Sequence, residues 1–116
     1  MSTGFTTTSP STSYSYAISG RNIYSQCGRG VDTDFEGERL VGGGPNWSSG
    51  RGYIQVYDWS KALGSWASIA QIDGPVAGGW FGESVSMDYD GVTIVVGAPK
   101  VNAVYICTPS ISSGFA

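Results

Sequence analysis

Between residues 28 and 108 the chain alternates apolar and polar positions in short runs separated by glycine-rich breaks. "YIQVYD" at 53–58 and "AVYICT" at 103–108 are the clearest of these runs. Alternation of this kind marks a half-buried strand, because successive side chains point to opposite faces of a sheet. The pattern predicts strands at 28–33, 38–43, 52–58 and 66–72, then at 83–88, 92–97 and 102–108, with a further strand at 14–18. Turn chemistry fits the breaks: Glu36-Gly37, Asp90-Gly91, "GGGPN" at 42–46 and "DGP" at 73–75 all tolerate or preset turn dihedrals. No segment carries a convincing helical period. "SKALGSWASIA" at 60–70 comes nearest, but Gly64 and the strand-like run after it argue against a helix.

The strands fall into a repeat of 54 residues. Laying "CGRGVDTDFEGERLVGGGP" (27–45) on "FGESVSMDYDGVTIVVGAP" (81–99) without a gap gives seven identities in nineteen positions: Gly28/Gly82, Val31/Val85, Asp34/Asp88, Gly37/Gly91, Val41/Val95, Gly43/Gly97 and Pro45/Pro99. The same offset places "YSYAISG" (14–20) on "SIAQIDG" (68–74), so the N-terminal strand reads as the last strand of a unit. After a loop of different length, 53–58 corresponds to 103–108. The expected fold is therefore all-β: two four-stranded antiparallel sheets, with strand 14–18 completing the second, within one chain or from a neighbouring copy. A monomer whose two sheets pack as a sandwich is the competing architecture.

Composition narrows the partners. With 116 residues the chain has room for one domain. A Ser/Thr-rich arm at 1–13, two repeats at 14–108 and a C-terminal tail at 109–116 divide it. The arm is too polar to build core alone and is expected either to be flexible or to order against a neighbour. A net charge of −3, with six scattered Lys and Arg, gives no footprint for nucleic acid. No stretch approaches the roughly 20 apolar residues of a membrane helix, and the N-terminus has neither the basic nor the apolar region of a secretory signal. Met1 reads as a natural start. Cys27 and Cys107, 80 positions apart, have no metal-ligand spacing and fit either buried thiols or one long-range disulfide.

The pair Phe81-Gly82 followed by "GAP" at 97–99 resembles the FG-GAP repeat, which builds β-propeller blades in integrin α-subunits and in bacterial and viral surface proteins. The flanking "GSWASIAQIDG" (64–74) and "NAVYI" (102–106) are similar to bacterial forms of the repeat, and the resemblance weakens in the first unit, where Cys27 stands for the Phe and "GGP" for "GAP". It implies four-stranded blades around a channel, with Trp66 and Trp80 in core positions. Propellers have about 4 to 8 blades. A two-blade chain should then assemble with further copies, or belong to something larger, because stacked repeats need about three neighbours for stability.

The resemblance also implies a place to look for calcium. Asp32, Asp34 and Glu36 precede Gly37 at the spacing of calcium ligands, yet Leu40 stands at the closing position; the second loop has Ser86, Asp88 and Asp90, with Ile94 at the close. Plain hairpin turns stabilised by Asp side chains are the expected reading, and the first loop is the better metal candidate. For a glycan, the candidates are Trp47, with Asn46 and Arg51 beside it, and Trp59, since aromatic faces stack on sugars. "NWS" makes Asn46 a glycosylation acceptor. Histidine is absent, and no GxSxG turn or phosphate-cradling loop occurs, so no enzyme is expected and no cofactor besides possible calcium. The expected role is a non-catalytic structural or adhesion module of a virion or cell envelope, extracellular or surface-exposed. A small oligomeric lectin is the alternative.

Overall fold

In the computed structural model of the chain, the described residues are 16–22, 24–110 and 114–115. The alternating runs become seven strands: β1 (Gly30–Thr33), β2 (Arg39–Gly43), β3 (Tyr53–Ser60), β4 (Ser65–Asp73), β5 (Ser84–Met87), β6 (Ile94–Ala98) and β7 (Ala103–Cys107). The first four form one antiparallel sheet in sequence order, and the last three form a second. Among the described residues helix is confined to a turn at Trp47–Gly50 and a 3-10 turn at Pro99–Val101. "SKALG" is the tip of the β3–β4 hairpin, both of whose strands extend beyond the expected bounds.

The N-terminal strand is where expectation and structure part. Residues 16–18 are irregular, while 14 and 15 lie outside the described residues, as does the arm at 1–13. Among the described residues the second sheet accordingly has three strands rather than four. A strand needs a ladder partner for its N–H and C=O groups, and among the described residues β7 pairs with β6 and not with this segment. The expected tail contains a small pairing of its own, β8 (Pro109–Ser110) with β9 (Gly114–Phe115).

The 54-residue repeat holds at the level of single hydrogen bonds. β1 pairs with β2 as Gly30↔Gly43 through Thr33↔Leu40, and β5 with β6 as Ser84↔Gly97 through Met87↔Ile94. Gly28 donates to the Gly43 carbonyl (3.0 Å) as Gly82 does to that of Gly97 (3.1 Å). Asn46 donates to Ser25 O (3.1 Å) as Lys100 does to Gly79 O (3.3 Å). Left-handed φ values recur in step: 62° and 64° at Gln26 and Trp80, 104° and 98° at Gly28 and Gly82, 71° and 73° at Gly37 and Gly91.

The core lies between the sheets. Val41, Ile54 and Val56 on one face of the first sheet meet Met87, Ile94, Val96 and Cys107 on one face of the second, with Phe81 and Ala98 closing one end. Strand β1 lies beside β5. Gly82 permits this approach: a Cβ there would sit 2.5 Å from the Tyr53 carbonyl oxygen, and one on Gly43 would collide with the Gly82 carbonyl.

Candidate functional site

The polar residues of the repeat converge on the junction between the sheets. Asp32, on β1, accepts the Met87 N–H of β5 through Oδ2 (2.6 Å) and the Thr33 N–H through Oδ1 (2.8 Å). Arg39, at the start of β2, forks onto Asp58 through Nε (2.6 Å) and Nη2 (3.0 Å), while Nη1 donates to the Gly91 carbonyl (2.8 Å) in the β5–β6 turn. Hydrogen bonding to Asp58 raises the Arg39 pKa further above its usual value. Arg29 meets Glu83 at 2.5 Å. Oε1 of Glu83 is buried and has no hydrogen-bond partner among the described residues. At the other end of β1 the rings of Phe35 and Tyr89 stack, with centroids 4.3 Å apart and planes 12° apart, and the Phe35 N–H donates to the Tyr89 carbonyl (3.0 Å).

These contacts account for two of the three expected metal ligands. Asp34 Oδ1 accepts the N–H groups of Glu38 (3.0 Å) and Arg39 (3.2 Å), closing its own turn. Its counterpart Asp88 does the same with Val92 (2.8 Å) and Thr93 (3.1 Å), and those bonds hold the Asp88 carboxyl below the usual carboxylate range. Glu36 is exposed at the turn tip. Asp34 and Glu36 share a polar hollow with Asp90, but among the described residues no three His, Cys, Asp or Glu are grouped to hold a metal ion.

The expected glycan contacts are split between the two ends of β3. Before its start, Asn46 Nδ2 donates to the Tyr24 carbonyl (2.9 Å) and Arg51 Nη1 to that of Gly74 (3.1 Å). The Arg21 guanidinium lies 3.5 Å over the Trp47 ring, whose edge meets Tyr53. One face of Trp47 is thus covered, and the Asn46 amide that would accept a glycan is engaged. Trp59 lies near the far end, in a cluster with Tyr16 and Trp66. Trp66 and Trp80 are half-buried.

Both cysteines are free thiols, Cys27 exposed and Cys107 buried, and burial pushes the Cys107 thiol up. Among the described residues no helix is long and apolar enough to cross a membrane.

Sequence reasoning missed the junction pairs, although two left a trace. Positions 29 and 83 are repeat equivalents of opposite charge, and 35 and 89 are equivalents that are both aromatic. Arg39 left none, since its equivalent is Thr93.

Each sheet also keeps one face away from the core. On the first sheet Val31, Leu40 and Tyr57 line an open hollow with Ile18 and Cys27. On the second, Val95, Val104 and Ile106 are exposed. No protein-family model matches the chain, and no curated protein matches it.

Proposed function

We propose that this chain is a non-catalytic structural module, a two-blade unit of an FG-GAP-like β-propeller that joins further copies and presents its loops for adhesion at a virion or cell surface. The observation that carries this reading is the 54-residue repeat reproduced in register, hydrogen bonds and backbone φ, with the two sheets face to face and β1 beside β5. Radial repetition of such sheets builds a propeller.

Two features favour assembly over a lone sandwich. Antiparallel sheets that face water carry polar residues on that side, whereas here Val31, Val95, Val104 and Ile106 are exposed on the outer faces. Among the described residues the second sheet also has three strands, while the counterpart of its fourth is the segment at 14–18. Another copy of that segment would complete it, and three or four copies would give a ring within the usual range of about 4 to 8 blades. The lectin reading gains no specific support, because Arg21 covers a face of Trp47.

The test is the native mass in solution, with and without chelator. Three or four copies are expected, unchanged by chelation, because Asp32 and Asp34 already accept backbone N–H groups. A 12.1 kDa monomer at every concentration would overturn the assembly and return the sandwich.

A further inference from the structure

We infer that the two bare sheet faces of this chain dock on each other between copies, head to tail. The face of β5–β7 carrying Val95, Val104 and Ile106 seats on the face of β1–β3 carrying Val31, Leu40 and Tyr57 of the next copy. The inference rests on the assembly reading above and names the surface that reading requires.

The repeat itself identifies the occupant. Val95 is the 54-residue counterpart of Val41, while Val104 and Ile106, across the shorter loop, are the counterparts of Ile54 and Val56. The first-sheet residues of these pairs are each 0% exposed; the second-sheet residues are 38%, 67% and 70% exposed. The opposite face behaves in mirror fashion: Val31, Leu40 and Tyr57 are counterparts of Val85, Ile94 and Cys107, which the chain packs into its core. The surface left bare at one end is thus the kind that the chain buries inside, and the surface at the other end is the kind that buries it. Such a contact is heterologous, joining different patches of the two copies.

The segment before β1 already sits as this arrangement needs. Ile18 is the counterpart of Ile72, which packs against the core between the sheets. Ile18 lines the hollow over Val31 and Leu40, the place that the last strand of a preceding sheet would take. A docking copy brings its β7 there as partner.

Charge and aromatic character match at the new junction too. Within the chain the junction pairs Arg29 with Glu83 and Phe35 with Tyr89. A step of 54 residues converts each member of a pair into the other, so Glu83 and Tyr89 of one copy face Arg29 and Phe35 of the next. Every junction, internal or between copies, holds one Arg with one Glu and one Phe with one Tyr. Gly28 is open around its missing side chain, where its counterpart Gly82 is crowded by the adjoining sheet. Ser84 in place of Gly30 makes that one point of the new junction wider.

The experiment uses two full-length variants, Val31→Glu and Ile106→Glu, both at positions more than 60% exposed in the single chain. Each spoils one of the two faces, and each alone is expected to be a folded monomer by circular dichroism and native mass, with association at least about 100-fold weaker, because an unpaired charge would be buried. Mixed, they are expected to give a species of twice the 12.1 kDa chain mass, since one sound face remains on each. Val104→Glu replaces Ile106→Glu if the latter does not fold. Wild-type assembly that persists in both variants overturns this docking surface and leaves self-assembly standing. One variant that still assembles while the other is monomeric overturns the head-to-tail arrangement in favour of a two-fold contact through the sound face. Monomeric variants that fail to pair on mixing overturn it as well. A monomeric wild type overturns both readings.

Discussion

Val56 and Ile106 hold equivalent places in the two units, both on a third strand and on the same side of their sheets, yet one is 0% exposed and the other 70%. Ile54 and Val104 differ as widely, at 0% and 67%. The difference teaches that alternation fixes the face a side chain takes, while burial depends on what stands opposite. In the first unit the second unit stands opposite; in the second unit none of the described residues does.

The largest expected effect breaks this pair apart. Ile54→Ala should lower the free energy of unfolding by about 2–5 kcal/mol, through lost burial and the cavity left behind. Val104→Ala should change it by less than about 0.5 kcal/mol in chains held monomeric by dilution. Urea unfolding at low concentration measures both. Equal losses in dilute chains would mean that the outer face of the second sheet is already covered, and the contrast would fail.

A second pair tests the backbone rather than the side chains. Gly28 and Gly82 share a φ near +100°, so either exchange to Ala carries about 1–3 kcal/mol of strain. Only Gly82 is also crowded, 2.5 Å from the Tyr53 carbonyl oxygen at its Cβ position, while Gly28 has open space. Gly82→Ala should therefore cost at least about 1 kcal/mol more than Gly28→Ala, since overpacking adds to strain. Thermal unfolding of the two variants as dilute monomers decides it, and equal melting temperatures would show that the sheets yield at this point.

How much of this was legible follows from range. Strand alternation and turns such as Asp88 to Gly91 are coded within a few residues, and the repeat doubled that signal, so the seven strands and their order could be read. The strand expected at 14–18 depends on a partner strand that the described residues do not provide, and 16–18 are irregular. The candidate sites were less legible because their fate is decided at long range. Asp32 looks like a ligand until Met87, 55 residues away, is seen donating to it. Trp47 looks like a sugar platform until Arg21 is seen lying over it.

The smallest expected effect concerns a turn that both units share. Asp88 is held below its ordinary value of 3.8, first by the Thr93 N–H and then by that of Val92. A depressed native pKa means that the unfolded chain binds the proton more readily. The contribution of this carboxylate is therefore complete above the ordinary value and fades as the pH falls through the native one. Asp88→Asn should melt slightly below wild type near pH 7, and the gap should close toward about pH 2. A gap that stays constant into acid would mean that the turn depends on the shape of the side chain and not on its charge. The same exchange at Asp34 should do more, because its Oδ1 also accepts the N–H of Arg39, whose guanidinium holds Asp58 and, across the junction, the Gly91 carbonyl. Both turns meet at the junction, through the Phe35 N–H on the Tyr89 carbonyl and Arg39 Nη1 on that of Gly91, so a change in either also loosens the contact between the sheets.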